Sequence, residues 1–232
     1  MKRAVAKPEG ESATRRNSGG CGATPQPGCD REAGPTGAVV LAAGQSRRLG
    51  KPKLLLPFGG STVIGCVVSA LEGAGLDPIV VVAGDEAVDI AQALRATRAT
   101  IVRNPNVERG MISSVRIGVS LLPAGVGRLV LALGDQPRLR ADDIIHLLAE
   151  HGRLGKGITV ACHGGKRGHP VVFDGRYVGE IMAVPDSGTL RDVIHAHADD
   201  VAVVEYESDA VISDIDTQED YDRQLRHAQT AP

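Results

Sequence analysis

Tryptophan is absent from this 232-residue chain, and there are only two phenylalanines and three tyrosines. Platforms for base stacking are therefore scarce, which argues against a single-strand nucleic-acid binder. An excess of either charge is lacking too. The formal net charge of −2 excludes a globally basic nucleic-acid binder but leaves room for a local basic site. No apolar run approaches the roughly 18 residues of a membrane span, and the first residues lack a signal-peptide hydrophobic region. Cys21, Cys29, Cys66 and Cys162 show no paired metal-ligand spacing. Cys66 sits in an apolar helical pattern as a small core residue and Cys162 ends a strand, while Cys21 and Cys29 leave a disulfide or metal clip as a minor alternative. A Gly-x-Gly-x-x-Gly fingerprint is missing after the first strand-like run, which disfavours a dinucleotide-binding oxidoreductase. These absences together lead us to expect a soluble, reducing, cytoplasmic protein with neither nucleic acid nor membrane as partner.

Apolar periodicity is also missing from residues 1–36, which carry six glycines together with Pro8, Pro25, Pro27 and Pro35. Such a segment cannot bury enough surface to offset its ordering entropy. It is expected to be a disordered N-terminal extension, or a start-site artefact, and not a targeting segment. Residues 37–229 then form a single domain of ordinary size. Within them β and α patterns alternate. Runs at 38–42, 79–83, 100–103 and 129–133 are rich in Val, Ile and Leu with little polar alternation, as in strands buried on both faces of a parallel sheet. Helical patterns lie near 63–74, 87–97 and 113–122, punctuated by Gly75, Gly84, Pro105, Pro123 and Gly125. Beyond Asp135 come a helix at 141–151, strands at 157–161 and 170–173 flanking a turn at 163–169, a helix near 188–198, a strand at 201–206 and a last helix at 218–229. The fold class is α/β: a doubly wound, mostly parallel sheet with helices on both faces, binding ligands outside the carboxyl ends of its strands.

What is present is concentrated in residues 39–53, Val-Val-Leu-Ala-Ala-Gly-Gln-Ser-Arg-Arg-Leu-Gly-Lys-Pro-Lys. Small residues at a strand end let backbone N–H groups approach a ligand. Four cations within seven residues, Arg47, Arg48, Lys51 and Lys53, need an anion, and a polyphosphate suits both features. The P-loop is excluded, because five residues separate Gly44 from Gly50 and Pro52 follows Lys51. Pro52 also disfavours helix at Lys51, keeping the loop extended. The alternative is a solvated basic turn.

The motif Leu-Ala-Ala-Gly-x-Ser-x-Arg-x-Gly-x-Pro-Lys at residues 41–53 resembles the signature of the nucleotidyltransferases that attach CMP or GMP to molybdopterin, most nearly the molybdenum cofactor cytidylyltransferases. The resemblance runs from about Gly37 to Leu225. It passes through Gly110-Met111-Ile112-Ser113-Ser114, Gly134-Asp135-Gln136-Pro137, Arg167-Gly168-His169-Pro170 and Asp214-Ile215-Asp216-Thr217, in order. It implies a Rossmann-like nucleotidyltransferase fold and transfer of CMP from CTP to the terminal phosphate of molybdopterin or the molybdenum cofactor. Pyrophosphate is released, and a molybdoenzyme receiving the product is a further partner.

By that resemblance Lys53 contacts the α-phosphate, Arg48 grips the β- and γ-phosphates, and Asp135 is a ligand of Mg²⁺. Those three form the implied catalytic set. Leu41, Ala42, Ala43, Gly44, Ser46, Gly84, Asn104, Ser113 and Ser114 join them in the implied nucleotide site. Ala43 matches the alanine of the CTP-using branch, where GTP-using relatives carry glycine. The second metal ligand is Asp216, with Asp214 in support; the two are spaced i and i+2, hence on one strand face. Asp216 has a competing role as N-cap of the last helix, and Ser113 suits equally a cap of the helix that follows it. Lys166, Arg167, Gly168 and His169 form the implied acceptor site, a turn whose two cations suit an anionic, planar acceptor. A phosphate nucleophile needs no general base at neutral pH, so His169 is read as a hydrogen-bonding positioner, against the alternative of a surface turn histidine. Ser187-Gly188-Thr189 departs from the acidic-glycine pattern of the family. The rival functions are transfer of CMP or GMP to another phosphorylated acceptor, and a catalytically silent carrier.

Overall fold

The computed structural model describes residues 34–44 and 49–230. The expected extension lies outside these residues, with Cys21 and Cys29, except at its end. Thr36 opens the first strand and the Gly127 amide donates to the Pro35 carbonyl (3.0 Å), so the fold reaches back before Gly37. Strand β1 (Thr36–Ala42) is followed by a hairpin of β2 (Pro57–Phe58) and β3 (Ser61–Thr62). Then come α1 (Val63–Gly73), β4 (Ile79–Ala83), α2 (Ala87–Ala93), β5 (Thr100–Arg103), α3 (Met111–Ser120) and β6 (Arg128–Leu133). The second half runs α4 (Ala141–Leu154), β7 (Ile158–His163), β8 (Lys166–Asp174), α5 (Val178–Ala183), α6 (Leu190–Ala196), β9 (Val201–Glu205) and α7 (Gln218–Thr230).

The main sheet has seven strands in the order β5-β4-β1-β6-β8-β7-β9. Only β8 runs against the others, pairing antiparallel with both β6 and β7. Because side chains alternate along a strand, Ala38, Val40 and Ala42 of β1 pack into one core with α1 and α4, while Val39 packs into the other with α3 and α5. Helices therefore cover both faces, as expected. From β1 the chain winds outward through β4 and β5, then returns to β6 on the other side of β1. This reversal leaves a crevice at the carboxyl ends of β1 and β6, where an open α/β sheet binds its ligands. Among the described residues, no helix is long and apolar enough to cross a membrane.

Several boundaries differ from the sequence reading, each for a local reason. The helix expected over 87–97 stops at Ala93: the Thr97 hydroxyl and amide both donate to the Leu94 carbonyl (2.8 and 2.9 Å), closing a tight turn in place of another helical one. Helix α3 starts at Met111, two residues early, because Gly110 at φ +83° makes an entry that a side chain would oppose. Ser113 is thus inside the helix and not its cap; its hydroxyl donates to the Gly110 carbonyl (2.8 Å). The turn expected at 163–169 shrinks to Gly164-Gly165, both at positive φ as a two-residue hairpin needs. Lys166, Arg167, Gly168 and His169 are therefore the first residues of β8, not a turn. Helix α5 and the β2–β3 hairpin are absent from the sequence reading; both are too short to show a period.

His151 of α4 is buried between Thr159 of β7 (Nδ1 to Oγ1, 2.8 Å) and Asp174 at the end of β8 (Nε2 to Oδ1, 3.0 Å). Burial holds its pKa below the ordinary value despite the Asp174 carboxylate. A histidine that binds its proton less readily folded than unfolded costs stability as pH falls, because the unfolded chain takes up more protons. Unfolding free energy is therefore expected to decline on going from pH 7.5 to 5.5, below the unfolded pKa of about 6.5. His151→Gln should flatten that slope in denaturant titrations; an unchanged slope would exclude His151 as its source.

Candidate active site

The crevice is built from two strand ends tied together. The Gly134 amide, just past β6, donates to the Leu41 carbonyl of β1 (2.9 Å). A Cβ at Gly134 would come within 2.8 Å of Ile64 Cδ1 and 3.2 Å of the Leu41 oxygen, so glycine permits this approach. Asp135 comes next and projects into the crevice. Its backbone carbonyl accepts from the Ile215 amide (3.2 Å), and Ile215 is buried in the core. That one contact carries the segment Asp214–Asp216 across from the far end of the chain. Although no strand forms there, contrary to expectation, carboxylate oxygens of Asp135, Asp214 and Asp216 all lie within 4.8 Å of one another.

Lys53 reaches the same place from the β1 side. It opens a single 3-10 turn, Lys53–Leu55, whose Leu54 is buried in the core, and its own side chain is buried. Lys53 Nζ donates to Asp135 Oδ2 (2.6 Å) and Asp216 Oδ1 (3.0 Å). Burial opposes its charge, but the two carboxylates outweigh burial and hold the ammonium above its ordinary range. Burial and the nearby Asp214 raise Asp135 against the pull of Lys53. Asp216 is not the cap of α7. Thr217 takes that role: its hydroxyl accepts from the Asp220 amide (3.1 Å), and Asp220 Oδ2 accepts from the Thr217 amide (2.9 Å). The Asp216 carboxylate instead accepts from Lys53.

Two cavities adjoin here. The smaller, about 480 Å³, is lined by Leu41, Ala42, Ala43, Gly44, Lys53 and Asp135, and also by Ser114, Asp214 and Glu108. The larger, about 770 Å³, has an apolar floor that includes Leu131, Val160 and Phe173 and a polar rim that includes the charged Arg167, Asp186 and Arg191 together with His169. Gly110 and Met111 belong to both walls. Burial pushes the His169 pKa down to about 4, with Asp214 opposing and the Arg191 charge assisting, so its ring is neutral at pH 7.

The expected site residues sort by place. Ser46 and Arg48 lie outside the described residues, as does Arg47. Asn104 and Ser113 sit behind the smaller cavity's wall. The buried Asn104 amide donates to Ser113 Oγ (2.8 Å) and Ser114 Oγ (2.9 Å), while its oxygen accepts from the Asn106 amide (2.8 Å), so it braces the loop into α3. Gly84 stands against Ala43, with room for a Cβ only at 3.4 Å from the Ala43 oxygen. Arg167, Gly168 and His169 line the larger cavity; Lys166 does not. Arg191 and Asp186 join it without having been expected. They flank Ser187-Gly188-Thr189, the segment that departs from the family pattern, and no local signal marks them. Asp214 joins Asp135 and Asp216 in the acidic cluster, from its exposed side.

The acidic cluster suits a divalent cation. Asp135 Oδ1 is buried with no hydrogen-bond partner, and three carboxylates lie close together, two of them paired with the Lys53 ammonium. Hard cations take such oxygen ligands.

Comparison with known proteins agrees with this architecture. A bifunctional protein GlmU from Mycolicibacterium paratuberculosis is 30% identical over 173 residues, 71% of this chain, but this chain spans only 34% of its length. Nicotine blue oxidoreductase from Paenarthrobacter nicotinovorans is 32% identical over 142 residues, covering 59% of this chain and 69% of the relative. The molybdenum cofactor cytidylyltransferase of Escherichia coli is 25% identical over 185 residues, covering 79% and 92%. The crystal structure of Rv0371c from Mycobacterium tuberculosis superposes with a TM-score of 0.73 at 27% identity, covering 84% of this chain and 99% of that one. The same protein is also known as a complex with manganese (TM-score 0.67, 27% identity, covering 83% and 98%). Residues 38–201, from β1 to the start of β9, match the model of the MobA-like NTP transferase domain, and this chain belongs to that family of nucleotidyltransferases.

Proposed function

We propose that this chain transfers CMP from CTP to the terminal phosphate of molybdopterin, with or without bound molybdenum, and releases pyrophosphate. The observation that carries the reading is the pairing of two cavities on a shared Gly110-Met111 wall, with Lys53, Asp135 and Asp214 lining the smaller one and Asp216 clustered beside those two carboxylates. The larger cavity offers an apolar floor and a cationic rim, which suit a planar acceptor with an anionic end. The likeness to the Escherichia coli cytidylyltransferase supports the acceptor, and the manganese complex of Rv0371c supports a divalent cation.

In this reading Asp135 and Asp216, assisted by Asp214, hold Mg²⁺, which supplies charge neutralisation to the triphosphate. Lys53 stabilises charge on the α-phosphate, and Arg48 binds the β- and γ-phosphates in bidentate fashion. The acceptor phosphate oxygen forms the new bond to the α-phosphorus as the bond to pyrophosphate breaks. Positioning and electrostatics carry such a step, with little covalent work for the protein. Neutral His169 orients the acceptor by hydrogen bonding and takes no proton. The domain from Thr36 through α7 acts as one unit in the cytoplasm and hands its product to a molybdoenzyme.

Pyrophosphate release measured with each of the four NTPs, with and without molybdopterin, tests the assignment. Release that requires CTP and molybdopterin is expected; release that requires a sugar phosphate instead would overturn the acceptor. Ala43 lines the nucleotide cavity, so Ala43→Gly should shift kcat/KM toward GTP, but by no more than about tenfold to a hundredfold, since one methyl discriminates weakly. Equal use of both nucleotides by the native protein would contradict the base preference.

The two halves of the site are separable as well. Arg167→Ala should raise the acceptor KM about tenfold or more, the worth of a charged hydrogen bond, with CTP binding nearly unchanged. Arg48→Ala should do the reverse. If Arg167→Ala weakened CTP as much as Arg48→Ala does, β8 would belong to the nucleotide site.

A further inference from the structure

Lys53 occupies the position a cation would take. Its ammonium lies 2.6 Å from Asp135 and 3.0 Å from Asp216, and the oxygens of these two residues and Asp214 fall within 4.8 Å of one another. We infer that Lys53 is a resident counter-ion competing with the divalent cation for the same carboxylates, and that it must leave them before the cation is fully seated. This rests on the reading of the acidic cluster as a cation site.

The physical grounds are local. Carboxylates this close repel one another, most strongly at Asp135, which like Lys53 is largely withdrawn from solvent, while Asp214 is exposed and Asp216 partly so. Without a cation beside it the withdrawn Asp135 carboxylate would face its acidic neighbours uncompensated. The lysine relieves this in the nucleotide-free protein, because its place on the 3-10 turn beside buried Leu54 delivers the ammonium from a fixed base. A dication arriving at the same oxygens is repelled by that ammonium. The nucleotide-free protein should therefore bind divalent cations weakly. A triphosphate changes the balance: it offers Lys53 another anion, drawing the ammonium away and vacating carboxylate oxygens. Lysine suits such an exchange, as a point charge on a flexible stem. Nucleotide and cation should thus bind with positive coupling, and the lysine should be delivered to the phosphates as the cation is seated.

The test uses Mn²⁺ alone, with free ion counted by electron paramagnetic resonance and no nucleotide present. Lys53→Met, of similar length and uncharged, should bind Mn²⁺ at least tenfold more tightly than the native protein. Lys51→Met, which removes an exposed charge of the same loop, should change affinity by less than about threefold, as screened exposed charges do. A Lys53→Met affinity equal to or weaker than native overturns the inference while leaving the cation site intact. Failure of both proteins to bind Mn²⁺ would instead sink the cation reading itself. Should Lys53→Met not fold, the native protein supplies the measurement. The Lys53 ε-methylene resonance in carbon-detected NMR should move on addition of Mg²⁺, as its ion pairs break. A resonance unmoved at saturating Mg²⁺ overturns the inference equally.

Discussion

Replacing Lys53 by alanine is expected to lower kcat by about 10²–10³, the loss that follows removal of one preorganised charge stabiliser. The size follows from where the ammonium sits: buried, fixed by its 3-10 turn, and within reach of both the acidic cluster and the nucleotide cavity. Once drawn from the carboxylates onto the phosphates, such a group needs little further reorganisation as charge develops there, and low local dielectric magnifies its effect. Asp135→Ala should also lose activity and much of its dependence on Mg²⁺, because Asp135 Oδ1 is the buried carboxylate oxygen left for a ligand. Steady-state pyrophosphate release at saturating CTP and acceptor, titrated with Mg²⁺, reads both. Near-native turnover in both variants would make this corner structural and favour a silent carrier. The two properties of Lys53 are distinguishable: the alanine variant should lose turnover, while the methionine variant should gain affinity for Mn²⁺ in the absence of nucleotide.

Gly168→Ala should have the largest effect among the acceptor-side residues, and for a reason that composition alone does not reveal. A Cβ at Gly168 would lie 2.0 Å from the Val211 carbonyl oxygen and 2.7 Å from Ile212 Cγ2. The first of these is backbone and cannot rotate away, so either β8 or the 3-10 turn Asp209–Ile212 must shift. That turn leads directly to Asp214 and Asp216, and β8 carries Arg167 and His169. Overpacking of this kind costs about 1–3 kcal/mol, equivalent to a fall in melting temperature of roughly 3–10 °C for a domain of this size. We expect kcat/KM for the acceptor to fall more than tenfold at the same time, with weaker cation binding. Unchanged melting temperature and turnover would show that β8 and Asp209–Ile212 can separate at no cost. Gly168 thus matters as a point of close backbone approach, in addition to any contact with acceptor.

Features that local chemistry governs are legible in the chain itself. Uninterrupted Val, Ile and Leu runs mark β1, β4, β5 and β6, because strands buried on both faces need no polar alternation. The small residues Ala42-Ala43-Gly44 and the turn Gly134-Asp135 mark the active edge, since a loop that approaches a ligand closely shows itself in composition. Distances between residues far apart in the chain are not legible in this way. Lys53 is separated from Asp135 by 82 residues and from Asp216 by 163, and nothing local states that one ammonium bridges both carboxylates. Asp216 reads equally as a helix cap in sequence, and only the fold gives that role to Thr217. Asn104 reads as a nucleotide contact, yet its amide is bound to Ser113 and Ser114. Composition and pattern, then, determined the α/β class and a strand-end loop fit for an anion, because these depend on near neighbours and on side-chain type, while the resemblance of ordered motifs implied the transfer chemistry. Tertiary structure alone decided that three carboxylates cluster with Lys53 bridging two of them, that β8 starts at Lys166, and that Arg191 and Asp186 join the larger cavity. Each of those depends on a contact closed by packing across the whole sheet.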